Sequence, residues 1–328
     1  MQEGRKVGVV LFQLGGPDTL ENVEPFLYNL FCDPDIIELP LGFLFRRPLA
    51  RWIARTRGAK VRKYYEQMGG GSPILKLTTR QAMALQEQLS QKMNVKAFVC
   101  MRYWHPMTEE VVQQIKKESF TDIVLLPLYP QYSMTTTGSS INEWNRVVER
   151  FGLNGTRVRT VLEYCDHPLF VQSFVENIQT ALKRVPHEDR SRMHLVFSAH
   201  GTPLKLVAKG DPYQSQVGRS YRAILNAGDF KLPHHLCYQS KVGSDKWLEP
   251  SLHETIHKLG HAGATHVIVV PLSFVSDHSE TLYEINIETR EEALKEGIRH
   301  FDMCPALNAN AHFIGALADV VLRQWQAE

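Results

Sequence analysis

The residues best equipped for chemistry are His200, His278, Glu280, Glu284 and Glu288. The three glutamates recur at i, i+4 and i+8, so a helix would carry them on one face. Like charges at that spacing repel by roughly 0.2–0.5 kcal/mol per pair. Between Lys246 and Arg290 the only basic side chain is Lys258, so the start of this helix lacks a cationic i+4 partner. The stripe reads either as a solvated acidic face or as a path for a cation or for protons. His200 follows an apolar run and precedes Gly201-Thr-Pro203, which puts its imidazole at a loop mouth. A lone histidine is more often structural than catalytic. A second histidine and a glutamate at the end of another strand-like run shift that balance. Imidazole with carboxylate suits divalent iron or zinc. Neither H-x-x-x-H nor H-E-x-x-H spacing is expected in the chain. A weak, open site for a metal in transit is therefore expected, not a tight permanent one.

These side chains need rigid elements to hold them. His266–Phe274 is short, β-branched and apolar throughout, the pattern of a parallel strand buried on both faces. Similar runs are Val7–Gln13, Lys96–Arg102, Ile123–Tyr129, Leu195–His200 and His235–Ser240, with a weaker one at Val158–Glu163. Between them lie helical stretches: Leu20–Cys32, Thr78–Met93, Thr108–Glu118, Pro168–Arg184, Gln214–Asn226 and Ser251–His261, with a terminal helix at Ala309–Ala327. Alternating strands and helices predict an α/β fold with parallel sheets. Asp18 or Thr19 is expected to cap the first helix, and Ser276 and Asp277 the acidic one.

The expected organisation is two Rossmann-like domains, 1–155 and 156–305, with a helix over 306–328 packing back on the first. Val124-Leu-Leu-Pro-Leu-Tyr129 is similar to Ile268-Val-Val-Pro-Leu-Ser273, and Val10–Pro17 to Val196–Pro203. Two similar halves facing each other across a cleft would explain this. One wall, with Leu14 and a Tyr/Ser/Thr loop, would be greasy. The other, with His200, His278 and Glu280, would be ionisable.

Composition narrows the class. The formal charge is +2, so bulk charge gives no reason to expect nucleic acid, and 43% hydrophobic residues suffice for packed cores. Five scattered cysteines without C-x-x-C suggest neither zinc nor disulfides, and fit a reducing cytoplasm. No signal-like segment and no apolar run of about 20 residues is present. Leu14-Gly-Gly-Pro17 is a sharp turn, not a dinucleotide fingerprint. Leu41, Phe43, Leu44 and Phe45 precede eight basic residues between Arg46 and Lys63 with no acid among them. That segment is either an ordinary helix with a basic face or a lip that meets a membrane or a greasy anionic ligand.

The motifs that carry these residues are Gly15-Gly-Pro17, Gly69-Gly-Gly-Ser-Pro73, Arg102-Tyr103 with His105-Pro106, Pro130-Gln-Tyr-Ser133 with Thr136–Ser140, Phe197-Ser-Ala-His200, Gly210-Asp-Pro-Tyr213, Gln239-Ser-Lys-Val-Gly243 with Trp247, and Ser276–Glu284. Together, and over nearly the whole chain, they resemble the ferrochelatase family. The resemblance implies a lyase with the chelatase fold, its macrocycle between two Rossmann-like domains. It would insert Fe2+ into protoporphyrin IX at the terminal step of haem biosynthesis. It also implies π-type turns in the acidic helix, a form found at functional sites. On this resemblance His200 is the base or metal-facing group. Glu280 pairs with it, held by His278, and both His200 and Glu280 meet Fe2+ transiently. Glu284 and Glu288 continue the path. Arg57, Tyr65 and Ser72 hold propionates, and Leu14, Arg102, Tyr103, Tyr132 and Trp247 complete the porphyrin contacts.

The segment from Leu41 to Lys63 resembles the family's membrane-touching mouth. The implied partners are protoporphyrin IX, Fe2+, a membrane surface on its inner face and an upstream haem-pathway oxidase. Leu14 stands where many members have Met and the coproporphyrin branch has Tyr, which favours protoporphyrin. Tyr238 stands where some members have Trp. No clustered-cysteine extension is seen, so no permanently bound cofactor and no [2Fe–2S] cluster is expected. The rival readings are a sirohydrochlorin-type cobalt chelatase and a non-catalytic tetrapyrrole or iron carrier.

Overall fold

Continuous β-branched runs leave no polar face, so they fold as strands covered by helices on both sides. The computed structural model describes residues 5–37, 42–153, 155–185, 192–241 and 245–327. Its strands form two four-stranded parallel sheets. The first part of the chain runs β1 (Val7–Gln13), α1 (Val23–Phe31), α2 (Gly42–Gln67), α3 (Ile74–Ser90), β2 (Val95–Met101), α4 (Thr108–Glu118), β3 (Asp122–Pro127), a π-helical turn (Met134–Gly138) leading into α5 (Ser139–Phe151), and β4 (Arg157–Thr160). The second part runs α6 (Pro168–Lys183), β5 (Met193–His200), α7 (Leu204–Ala208), α8 (Tyr213–Gly228), β6 (His234–Gln239), α9 (Leu252–His261), β7 (His266–Pro271), a long π-helix (Glu280–Thr289), α10 (Arg290–Lys295), β8 (His300–Met303) and α11 (Ala311–Gln326).

Contacts gather the described residues into two compact units. One reaches Tyr164 and includes the chain from Ile314 onward; the other is Cys165–Phe313. In the first unit, Arg159 donates to Ala327 O at 3.0 Å, and the Arg5 guanidinium lies 5.0 Å from the Trp325 ring centroid. These contacts tie the end of α11 to the first sheet.

The sheet orders are β2-β1-β3-β4 and β6-β5-β7-β8. Each starts in the middle, extends to one side, then crosses to the other. The switch falls between β1 and β3 in one unit and between β5 and β7 in the other, and ligands of open α/β sheets bind outside the strand ends there. The repeat read in the sequence thus corresponds to a repeated topology. In both units the loop after the strand beyond the switch runs into a π-helical segment.

Several local expectations are corrected. α1 begins behind Asn22, and the Asp18 carboxylate accepts from the Asn22 side chain at 2.8 Å instead of capping backbone amides. The long π-helix starts behind Ser279, because the amides of Thr281 and Leu282 both donate to His278 O and need no side-chain cap. Asp277 instead accepts from Thr281 Oγ1 at 3.0 Å and Asn308 Nδ2 at 2.7 Å. β8 and the short α7 were not expected from the sequence. β8 has only four residues and one buried apolar side chain, Phe301, so no run marks it. α2 is one helix of 26 residues with Pro48 inside it. Leu41 and the side chain of Phe43 lie outside the described residues.

Candidate active site

Register places the site. His200 ends β5 directly beside Gln239, the last residue of β6, while β7 pairs with β5 only as far as Ser198 opposite Pro271. Beyond Pro271 the chain is free to turn over the sheet edge into the π-helix. Thr281, Ile285 and Thr289 are the buried residues of that helix, at four-residue steps. Ile285 packs fully buried against Val196, Ile256 and Val269, worth about 1.5–3 kcal/mol. This buried row fixes the helix rotation, so the residue before each member, Glu280, Glu284 and Glu288, forms the neighbouring row. Thr289 Oγ1 donates to Glu284 O, five residues back, at 2.7 Å, as the wider π turn allows.

The centre is a pair. His200 Nδ1 lies 2.8 Å from Glu280 Oε2, with side chains 38% and 24% exposed. The imidazole is therefore engaged on one nitrogen and still reachable. Gln239 Nε2 donates to Glu280 O at 3.0 Å, and Ser198 Oγ donates to Gln239 Oε1 at 2.7 Å. Glu284 accepts from Ser240 N at 2.7 Å and Ser240 Oγ at 2.6 Å. Ser240 holds a left-handed φ of 66° to offer both groups. Glu288 is exposed. A Cβ at Gly201 would meet Gln239 O at 2.8 Å and Trp247 Cε3 at 3.3 Å. Glycine there lets β5 leave the sheet beside Trp247, whose Nε1 is buried with no hydrogen-bond partner among the described residues.

Electrostatics separate the three groups. Burial alone would lower the His200 pKa, but the charge and hydrogen bond of Glu280, with Glu284 behind, raise it above 6.5. Burial alone would raise Glu280, but the charge and hydrogen bond of His200, with a smaller effect of His278, hold it down to about 2. Glu284 goes the other way: burial and the charge of Glu280 raise it against the Ser240 hydrogen bond. The arrangement is a fixed carboxylate, an imidazole that binds a proton readily, and a second carboxylate poised to share one.

His278 does not hold Glu280 by a hydrogen bond. Its Nδ1 donates to Ser276 O at 2.9 Å, which fixes the tautomer, and its ring packs 5.2 Å from that of Phe274. Gln239 holds Glu280 through the Glu280 backbone carbonyl, and Ser240 holds Glu284. Gln239 and Ser240 both stand in a motif quoted above, yet nothing in their residue type marked them.

The other expected residues lie in the first unit, apart from Trp247. Leu14 is half-buried and packs with Tyr65 and Tyr103 in one apolar cluster. Arg57 is exposed on α2, its guanidinium 5.8 Å from the Phe31 ring centroid. Ser72 N donates to Pro17 O at 2.7 Å, and a Cβ at Gly71 would stand 2.2 Å from Asp18 O. The two glycine turns thus pack backbone to backbone. Tyr132 follows β3, its hydroxyl 3.2 Å from where Gly138 would carry a Cβ. Arg102 and Tyr103 are turned inward: Arg102 pairs with Asp33 at 3.0 Å and donates to Ser139 Oγ at 2.8 Å, and Tyr103 donates to Asp33 at 2.6 Å. Asp33 is fully buried; burial would raise its pKa, and Arg102, Ser139 and Tyr103 lower it.

Both spacings expected to be absent do occur: His253-Glu254-Thr255-Ile256-His257 is H-E-x-x-H, and His261 extends the H-x-x-x-H register, all on α9 and outside the His200–Glu280 pair.

Known proteins resemble this chain over nearly its whole length. The family model for ferrochelatase matches residues 6–325. A ferrochelatase of Aquifex aeolicus (strain VF5) is 45% identical over 316 residues, covering 96% of this chain and 98% of that one. A ferrochelatase of Geotalea uraniireducens (strain Rf4) is 45% identical over 324 residues, covering 98% and 99%. Among solved structures, SirB from Bacillus subtilis with Fe3+ superposes with a TM-score of 0.57 at 14% identity, covering 97% of this chain and 95% of that one. At that identity the likeness speaks for the fold alone.

Proposed function

The chain belongs to the ferrochelatase family and is a metal chelatase of the lyase class that inserts ferrous iron into a porphyrin, and from that premise we propose how its residues do so. Insertion exchanges two pyrrole N–H protons for one Fe2+, so the protein must accept two protons where the metal enters. The observation that carries the reading is the 2.8 Å contact between His200 Nδ1 and Glu280. Glu280 keeps the proton on Nδ1, which leaves Nε2 as the base, and its charge stabilises the imidazolium that forms. Glu284, its pKa raised, takes the proton onward, and exposed Glu288 hands it to solvent. The same row offers oxygen ligands to iron on its way in. Anaerobic steady-state assay with Fe2+ and protoporphyrin IX tests the reading: haem forms with turnover. Tight binding of both without turnover would instead mark a carrier.

Protoporphyrin IX is the proposed substrate, with two propionates, over coproporphyrin III with four. Leu14, half-buried among apolar side chains, offers no partner to an extra carboxylate, and burying one unpaired is costly. kcat/KM is expected to be higher for protoporphyrin IX when the two are measured side by side; the reverse preference refutes this. Arg57, Tyr65, Ser72, Tyr132 and Trp247 remain the proposed porphyrin contacts. The inward pairing of Arg102 and Tyr103 suits a role in fixing Asp33. No bound cofactor is needed by this chemistry. Burial pushes the thiols of Cys100, Cys237 and Cys304 up to about 12.

A peripheral membrane contact is proposed for the start of α2. Leu44, Phe45 and Trp52 are exposed beside exposed Arg47, Arg51 and Arg55. Arg46 donates to Ile37 O at 2.6 Å and anchors this end of the helix. No described helix is long and apolar enough to cross a membrane. The protein is expected to co-sediment with anionic vesicles, more weakly at high salt. Replacing Leu44, Phe45 and Trp52 by Ser should release it with its Tm unchanged. Equal vesicle binding before and after would dismiss the contact.

A further inference from the structure

The three histidines of α9 form a column at i, i+4 and i+8, and each faces a glutamate. His253 pairs with Glu292 of α10. His257 Nε2 and His261 Nε2 lie 4.0 and 3.7 Å from the same oxygen, Glu296 Oε2, and the two imidazole centroids are 4.4 Å apart. One ligand atom from each of His257, His261 and Glu296 falls within 4.8 Å of the others. The backbone is shaped for this approach. A Cβ at Gly260 would stand 2.5 Å from Glu296 O and 2.7 Å from Glu296 Cβ, so only glycine lets the chain after α10 come this close to α9. Gly297, at a φ of 87°, then turns the chain away.

We propose that His257, His261 and Glu296 form a surface site for a divalent first-row transition metal, separate from the residues that insert iron. Two imidazole nitrogens four residues apart on a helix are the spacing with which zinc sites begin, and a carboxylate from a second element completes a three-ligand set. Metal–ligand bonds of about 2.0–2.2 Å place donor atoms roughly 3–4 Å apart. The side chains of His257 and His261 are 53% and 68% exposed, so small rotations close the set. Two nitrogens and one oxygen favour Zn2+, Co2+, Ni2+ or Cu2+ over Mg2+ and Ca2+, which take oxygen ligands. The remaining positions belong to water. The four-residue register of Glu280, Glu284 and Glu288 continues through Glu292 to Glu296, so the site lies at the far end of one glutamate series.

Tag-free full-length protein, free of porphyrin, tests the site by calorimetric titration with Zn2+ and by the visible d–d absorption of Co2+. Wild type is expected to bind one equivalent more than His257→Ala/His261→Ala, and only wild type should show the Co2+ band from this set. Glu296→Gln should weaken that equivalent by at least about tenfold. Zn2+ should raise the Tm of wild type more than that of the double variant, while the two share the same metal-free Tm and the same haem-forming turnover. His200→Ala should keep the equivalent. Equal stoichiometry and affinity in wild type and the double variant would overturn the proposal. So would loss of the equivalent in His200→Ala with its retention in the double variant.

Discussion

Replacing His200 by Ala is expected to lower kcat for iron insertion by about 10²–10⁴-fold, the usual contribution of a positioned acid–base group. Porphyrin affinity should change little, because a single half-exposed ring is lost and its partner Glu280 remains anchored through its backbone by Gln239. His200 and Glu280 act as one unit, so His200→Ala/Glu280→Ala should be far less severe than the product of the two single effects. Glu288→Gln, on the exposed end of the row, should be milder than either. A purely structural His200 predicts something else: a lower Tm, with normal turnover from whatever fraction stays folded. Tm, porphyrin affinity and kcat measured on the same samples separate the two.

The second large effect concerns Glu280→Gln. In wild type the carboxylate raises the His200 pKa above 6.5. The free base form therefore gains population only as pH climbs past that raised value, and kcat/KM should rise there. Glutamine removes the charge and leaves burial, which lowers an imidazole pKa. The acidic limb of kcat/KM should then move to lower pH, while the plateau falls by about 10²-fold because the imidazolium loses its stabilising charge. Stability should follow the same pair. The Glu280 contribution is complete above 4.5 and disappears as pH falls toward about 2. The His200 contribution is complete below 6.5 and disappears as pH rises through its raised value. The Tm difference between wild type and Glu280→Gln should therefore be widest between 4.5 and 6.5. An acidic limb that stays in place would show that Glu280 does not set the His200 titration.

The sequence disclosed what is strongly patterned. β1 and α4 have the expected bounds because Val7–Gln13 is buried along its whole length and Thr108–Glu118 carries a clear apolar stripe between opposite charges. His200 and Glu280 were legible because each follows a run that reads as a buried strand. The four-residue glutamate spacing was visible too. The residues themselves did not say that the helix would be of the π type: i, i+4, i+8 suits an α-helical face almost as well, and only the resemblance implied the wider turn. Gln239 and Ser240 were missed as chemistry. Their importance depends on register, which sets Gln239 beside His200, and on a left-handed φ at Ser240 that a serine does not announce. Asp33 was missed for a related reason. Its partners Arg102, Tyr103 and Ser139 stand 69 to 106 positions along the chain, so no local pattern connects them. The helix at Gly42–Gln67 was ambiguous because its arginines and lysines together lie on every side, leaving no single apolar face to read. The histidine column of α9 has plain spacing, but it lies on a helix face and not at the strand ends where ligands of parallel sheets bind.

Single-turnover kinetics test the central claim most directly. Protein preloaded with protoporphyrin IX is mixed anaerobically with saturating Fe2+ in a stopped-flow cell, and the conversion of bound porphyrin to haem is followed by its absorption. This isolates proton removal and metal entry from product release. If His200 accepts the pyrrole protons, the single-turnover rate in His200→Ala falls at least about 10²-fold, with the amplitude of bound porphyrin unchanged and the wild-type rate rising with pH through the His200 titration. A single-turnover rate in His200→Ala equal to wild type, at full porphyrin loading, would contradict the account.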